Sequence, residues 1–376
     1  MKVIIAGDFA PKARLAKQIV EKNFSEVFPD SLCEVIKSSD FSFVNFESPI
    51  VEEGYKPITK CGPNLHCTPE AAEAVKYAGF AGVTLANNHI LDFGTEGLHK
   101  TVECCKALGL YIVGIGDNLK DAGKILYLEK DEKTLAVINC CEHEFSIATE
   151  TDAGANPLSP VRQFYAIQEA RKKADYILVV VHGGHEHYQL PSPRMQEAYR
   201  FFVDAGADVV VNHHQHCYSG YEVYDGKPIF YGLGNFCFDT APIEINSTWN
   251  YGYLLELNLE EDIEYKLLPY YQYGRNSNVE LLQDRKEFDI QISKLNEIIA
   301  NPEKLRMCTN EYYSSTSENM LNVYQPYENR LMNKLFRMHL LPSLVSIKRL
   351  VMLYNYINCE SHRDKQLYAL KNKFKK

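Results

Sequence analysis

Ile177-Leu178-Val179-Val180-Val181-His182-Gly183-Gly184-His185-Glu186-His187 runs from five apolar residues straight into imidazoles and a carboxylate. A short, largely β-branched run of this kind predicts a strand. The same pattern occurs four more times. Val3-Ile4-Ile5-Ala6-Gly7 ends in Asp8, and Phe41-Ser42-Phe43-Val44-Asn45-Phe46 ends in Glu47. Gly82-Val83-Thr84-Leu85-Ala86 ends in Asn87-Asn88-His89, and Asp208-Val209-Val210-Val211-Asn212 ends in His213-His214-Gln215-His216. Seven of the twelve histidines fall in these clusters. Open α/β sheets bind ligands outside the carboxyl ends of their strands, so five such ends should converge on one rim.

Between the runs lie helix-like stretches, Thr68–Tyr77, Thr95–Leu108, Arg162–Lys173 and Pro193–Ala205. Thr68-Pro69-Glu70 predicts an N-cap ahead of a proline at the first helical position. Further strands are expected at Tyr111–Ile115, Leu135–Cys140 and Ile229–Tyr231, and added antiparallel strands at Tyr253–Leu259 and Ile263–Leu268. Strand–helix alternation of this kind means a layered α/β fold. From about residue 284 the chain reads helical, with a polar linker or loop expected around Thr309–Asn322. The expected domains are therefore 1–275 and a helical C-terminal region, 284–376, with a basic tail.

Apolar residues at 45% and charged residues at 24% place the 376-residue chain among ordinary globular proteins, which excludes disorder, collagen and coiled coil. The net charge of −9 argues against nucleic acid as a partner. That charge divides unevenly. Residues 330–376 hold eleven Lys/Arg against two acids, whereas residues 1–329 hold 29 against 47. Leu340, Leu341, Leu344, Ile347 and Val351 recur at helical spacing in the basic segment, which suggests contact with a membrane surface, an acidic polymer or a protein partner. No signal-peptide pattern opens the chain and no window is apolar enough to span a membrane. Eleven cysteines, two pairs of them adjacent, make a poor disulfide framework, so a reducing, cytoplasmic location is expected.

The strand-end residues supply oxygen and imidazole donors and no thiolate, a set suited to Mn, Fe, Zn or Mg rather than to a structural zinc. A carboxylate bridging two ions ~3.5–4 Å apart is the usual basis of two-metal phosphoester hydrolysis. A divalent metal centre of one or two ions is the expectation.

At these residues the chain resembles the CapA/PgsA family of bacterial capsule or poly-γ-glutamate synthesis proteins, which have a calcineurin-like metallophosphoesterase fold. The resemblance rests on Gly7-Asp8, Asn45-Phe46-Glu47-Ser48-Pro49, and Ala86-Asn87-Asn88-His89 with Asp92 and Gly94. It continues through His182-Gly183-Gly184-His185-Glu186, His213-His214-Gln215-His216 and Tyr231-Gly232-Leu233-Gly234-Asn235-Phe236, in family order over roughly residues 1–240. It implies a four-layer α/β/β/α metallophosphoesterase-like sandwich with a C-terminal helical extension. Glu47 would then bridge two metals. Asn88, His182 and His214 would complete one site, and Asp8 and His216 the other. His89 would donate a proton to the leaving group, oriented by Asp92. Glu186 is a candidate base or anchor for a substrate amine, and Asn45, Asn87, His213 and Asn235 are candidate substrate contacts. The chain departs from the family at Ala10, where a metal-binding His is usual, at Gly183, where Trp is common, and at Asn212 and Gln215. The loop from Ser48 to Cys67, with Lys56, Lys60 and His66, could provide a lid and a cation. The implied function is hydrolysis of a phosphoester or related anionic bond in capsule or polyanionic polymer synthesis, on an anionic small-molecule or polymer substrate. A non-catalytic scaffold in a polymer-synthesis assembly and a γ-glutamyl amide hydrolase are the alternatives.

Overall fold

The structure is a computed structural model that describes residues 1–240, 242, 245–327 and 329–374. Lys375 and Lys376 of the expected basic tail lie outside the described residues. The chain forms two compact units, Met1–Arg306 and Met307–Lys376.

The first unit holds two large sheets. One runs in the order Val279–Leu281, Glu264–Gln272, Tyr251–Asn258, Lys2–Phe9, Phe41–Phe46, Gly82–Thr84 and Tyr111–Val113, with Asn235–Cys237 also paired to Lys2–Phe9. Lys2–Phe9, Phe41–Phe46, Gly82–Thr84 and Tyr111–Val113 are parallel, and the strands after residue 250 add to them antiparallel. The other sheet runs Tyr221–Tyr224, Lys227–Phe230, Val209–His213, Tyr176–His182, Lys133–Cys141 and Leu126–Lys130. Its central strands are parallel and buried along nearly their whole length, which explains their unbroken apolar runs.

The sheets face each other. Tyr265 of the first packs 5.3 Å from the rings of Phe230 and Tyr221 of the second. Asn139 Oδ1 accepts from Ala86 N across the gap at 2.8 Å. Outside the first sheet, helices Ala13–Val20, Asp30–Lys37 and Glu70–Ala78 bury Leu15, Ile19, Leu32, Ile36, Ala71 and Val75 against Ile4, Ala6, Val44 and Val83. Pro160–Arg171 and Pro193–Asp204 cover the second sheet. The result is a four-layer α/β/β/α sandwich, with parallel strand ends of both sheets opening on one rim.

Four local readings change. The strand expected over Tyr111–Ile115 breaks at Gly114, which takes φ 98°, and a Cβ there would collide with Asn139 Oδ1. Ile115–Gly116 pairs instead with Gly154–Ala155. Helix Glu70–Ala78 starts without a side-chain cap, because Thr68 contributes its backbone carbonyl to Ala71 N at 3.0 Å. The stretch expected as a loop around Thr309–Asn322 is helical within Pro302–Asn322. Asn301 Oδ1 accepts from the N–H groups of Glu303 and Lys304 at that helix's start, so a good cap compensates for a Ser/Thr-rich interior. Finally, Lys286–Ile299, grouped by the sequence with the C-terminal region, belongs to the first unit. It buries Phe288, Ile292, Leu295 and Ile299, and Asn296 Oδ1 accepts from Tyr221 N at 2.7 Å.

Candidate metal centre

Asp8 reaches the rim because Gly7 has no side chain: a Cβ there would overlap the Gly234 carbonyl, to which Asp8 N donates at 3.1 Å. This close approach is what Gly7-Asp8 and Gly234-Asn235 have in common. Glu47 leaves the next strand, with its N–H held by Phe9 O at 2.9 Å. His214 (φ 90°) and His216 (φ 54°) both take the left-handed backbone conformation that non-glycine residues avoid, a pattern that concentrates at functional sites.

Two groups of donors result, Glu47–His182–His214 and Asp8–Glu47–His216, with Glu47 in both and every member buried. His182 Nε2 lies 3.5 Å from Glu47 Oε1, 3.0 Å from Asn88 Oδ1 and 3.1 Å from His214 Nδ1. His216 Nδ1 lies 3.5 Å from Asp8 Oδ2, and its Nε2 lies 3.8 Å from Glu47 Oε1. Both carboxylate oxygens of Glu47 are buried without a hydrogen-bond partner. A buried carboxylate left this way is costly unless a cation compensates it, so the donor set fits a divalent metal.

The electrostatics agree. Burial and the charge of Asp8 push Glu47 well above the usual carboxylate range. Burial pushes His182 and His214 down, aided by each one's imidazole neighbours, which favours neutral rings with free lone pairs. For His216 burial acts downward too, but Glu47 and Asp8 outweigh it and raise it to about 9. Burial opposes ionisation of Asp8, yet its hydrogen bond to His216 and the facing His213 and His182 hold it well below its ordinary value.

His89 directly follows Asn88, and its Nδ1 lies 2.6 Å from Asp92 Oδ2. Asp92 also accepts from Leu65 N at 2.6 Å and pairs through Oδ1 with Lys60 Nζ at 2.5 Å. The Lys60 side chain is only 2% exposed, so this is a buried ion pair. Lys60 Nζ also stands 3.1 Å from His89 Nδ1. The 48–67 loop thereby delivers one cation to the His89–Asp92 pair.

Three asparagines stand around these donors. Asn45 Nδ2 reaches Asp8 Oδ1 at 2.7 Å and His182 Nδ1 at 3.1 Å. Asn87 spans Phe46 O and His89 N, and Asn235 Oδ1 lies 2.9 Å from His216 Nδ1. His213 is buried, 3.7 Å from Asp8, with neither ring nitrogen hydrogen-bonded. Glu186 is exposed on the turn after Tyr176–His182, near enough for its charge to act on Glu47 and His214.

Sequence reasoning left out two residues. Glu144 Oε2 lies 3.4 Å from Asn88 Nδ2, and its Oε1 lies 3.8 Å from His214 Nε2. Trp249 packs 5.0 Å from the His216 ring, 5.6 Å from His187 and 4.9 Å from Phe238. An aromatic wall therefore stands beside the centre although Gly183 supplies none. Its being the chain's one tryptophan was the only available signal. Ala10, buried with Leu65 and Phe238, brings no ligand atom. Each of the eleven cysteines is unpaired, and burial raises the Cys105 and Cys217 thiols to about 12, consistent with packing roles.

A four-layer α/β/β/α sandwich whose strand ends place Glu47 in two buried donor groups presents a candidate metal centre. Residues 2–240 match the family described as bacterial capsule synthesis protein PGA_cap, and the chain belongs to that family. It is 35% identical over 247 residues to the capsule biosynthesis protein CapA of Bacillus anthracis, covering 64% of this chain and 60% of that one. It is 33% identical over 230 residues to the PGA biosynthesis protein CapA of Bacillus subtilis (strain 168), covering 60% of each. The chain thus spans about three-fifths of the length of these relatives. A crystal structure described as a novel phosphatase from Mycoplasma pneumoniae aligns at TM-score 0.47 and 14% identity, covering 73% of this chain and 95% of that one. Among the described residues no helix is long and apolar enough to cross a membrane.

Proposed function

We propose that this chain is a metal-dependent hydrolase of capsule or polyanionic polymer synthesis, acting on a phosphoester or related anionic bond. The observation that carries the reading is Glu47, fully buried, without a hydrogen-bond donor, and common to two ligand groups. One or two divalent ions (Mn, Fe, Zn or Mg) held there would polarise the substrate and supply a water of lowered pKa.

The chain's own groups do the rest. Asp8, Glu47, Asn88, His182, His214 and His216 would hold the metal, with Asn45 and Asn235 orienting Asp8, His182 and His216 through hydrogen bonds. In hydrolysis a water oxygen bonds to phosphorus as the bond to the leaving oxygen breaks, and that oxygen must gain a proton. His89 is the donor in this reading. Asp92 accepts from Nδ1, leaving Nε2 to carry the transferred proton, and Lys60 neutralises Asp92 so that the buried pair does not add a net negative charge. Glu186 stands by as a mouth carboxylate for a substrate ammonium.

Ala10 favours a second reading, an accessory subunit that keeps the fold without turnover. A γ-glutamyl amide hydrolase is the third. A panel of phosphoesters and γ-glutamyl amides, assayed with added Mn²⁺, separates them. Phosphoester turnover lost in His89→Ala with metal content retained supports the proposal. Metal-loaded protein that turns over neither class supports the accessory role, and turnover confined to the amides supports the third reading.

A further inference from the structure

The C-terminal unit has apolar side chains on its surface that its own fold does not cover. Leu331, Met338, Leu340, Leu344, Ile347 and Val351 are each more than half exposed. Helix Arg330–Arg337 is capped by Asn329, whose Oδ1 accepts from Leu331 N at 2.8 Å. At 100° per residue, Arg330, Lys334 and Arg337 fall on one stripe, and Leu331, Met332, Leu335 and Phe336 fall on the opposite side. Helix Ile347–Asn358 repeats the division. Ile347, Val351, Tyr354 and Ile357 line one exposed face, and Lys348 and Arg349 lie on the flank. A short helix with basic residues opposite exposed Leu331 and Met332, too short and too charged to span a bilayer, is the pattern of an element lying in a membrane interface.

We propose that this unit is a peripheral docking surface for an anionic lipid bilayer. Residues 330–376 carry eleven Lys/Arg against two acids, so a second copy docking through this same segment would meet like charge and is disfavoured as the occupant. Acidic headgroups would meet the basic stripes while the leucine and isoleucine faces enter the acyl boundary. The inference stands apart from the chemistry of the metal centre and survives if that chemistry is absent.

The test is flotation of the full chain with phosphatidylcholine vesicles containing about a third phosphatidylglycerol, against pure phosphatidylcholine, at ~0.05 M and ~0.5 M salt. Binding only to the acidic vesicles, weakened by salt, is expected. Arg330→Gln/Lys334→Gln/Arg337→Gln should reduce partitioning about 100-fold, at roughly fivefold per charge. Ile347→Ser/Val351→Ser should abolish what salt leaves, with an unchanged circular dichroism spectrum showing that either variant is folded. No binding to acidic vesicles at low salt overturns the proposal, as does equal binding to neutral ones. Retention by a soluble polyanion without vesicle binding overturns it in favour of an acidic polymer or protein. A concentration-dependent dimer lost in the Ser variant, again without vesicle binding, assigns the face to a second copy.

Discussion

His182 Nε2 and His214 Nδ1 face each other at 3.1 Å, with Glu47 Oε1 3.5 Å from the same His182 nitrogen. Two buried imidazoles and a carboxylate without a donor lie close enough together to share one ion, which would satisfy all three at once. Millimolar Mn²⁺ should therefore raise the melting temperature by about 5 °C or more, through binding to the native state alone. Glu47→Gln should abolish that shift while making the metal-free protein more stable, because it removes a buried carboxyl that has no hydrogen-bond donor and that burial and Asp8 hold away from its charged form. Differential scanning calorimetry with and without chelator checks both; a destabilised metal-free Glu47→Gln protein would contradict this account of Glu47.

Lys60 and Asp92 should be energetically inseparable. Lys60→Met leaves the Asp92 carboxylate buried without its cation, which should cost about 3–5 kcal/mol. Lys60→Met/Asp92→Asn should recover most of that loss, because both charges then go together. Urea denaturation of the four proteins in a double-mutant cycle measures the coupling, and additive losses would mean that the pair does not form.

Trp249 offers a direct optical signal. Its ring lies 5.0 Å from His216, and no other tryptophan contributes emission. Titration with Mn²⁺ should quench its fluorescence saturably, and Trp249→Phe should remove the signal while leaving metal content unchanged by elemental analysis. A titration that leaves the emission flat would place the ion away from His216.

Asp40 provides a pH test remote from the metal. Its carboxylate accepts from Lys2 N at 2.8 Å, and that bond, aided by Lys130, holds it below its ordinary value. A depressed acid stabilises the fold above its unfolded pKa and loses that contribution as pH falls through its folded one. The melting-temperature gap between wild type and Asp40→Asn should therefore hold steady from about pH 8 to 5 and close below about pH 4. A gap that widens on acidification would reverse the sign and disprove the assignment.

Much of the rim was legible in the chain because its signal is local. An apolar run and the residue that ends it are adjacent, so Val3–Asp8, Phe41–Glu47 and Ile177–His182 announce both a buried strand and what stands at its tip. The sequence by itself thus determined the layered α/β class, the strand ends and the chemical type of the donors. Register and loop path are different in kind. Lys60 meets Asp92 across 32 positions, Glu144 meets Asn88 across 56, and Trp249 meets His216 across 33, and no periodicity links such pairs. The boundary of the first unit was hidden for the same reason, since helix Lys286–Ile299 looks like its C-terminal neighbours until Asn296 is seen capping the Tyr221 strand. Only the tertiary structure decided which polar residues grip the ligands, which cation balances Asp92, and where an aromatic wall stands. Those contacts depend on how far a loop travels before it packs, and residue order records composition along that path but not where the path returns.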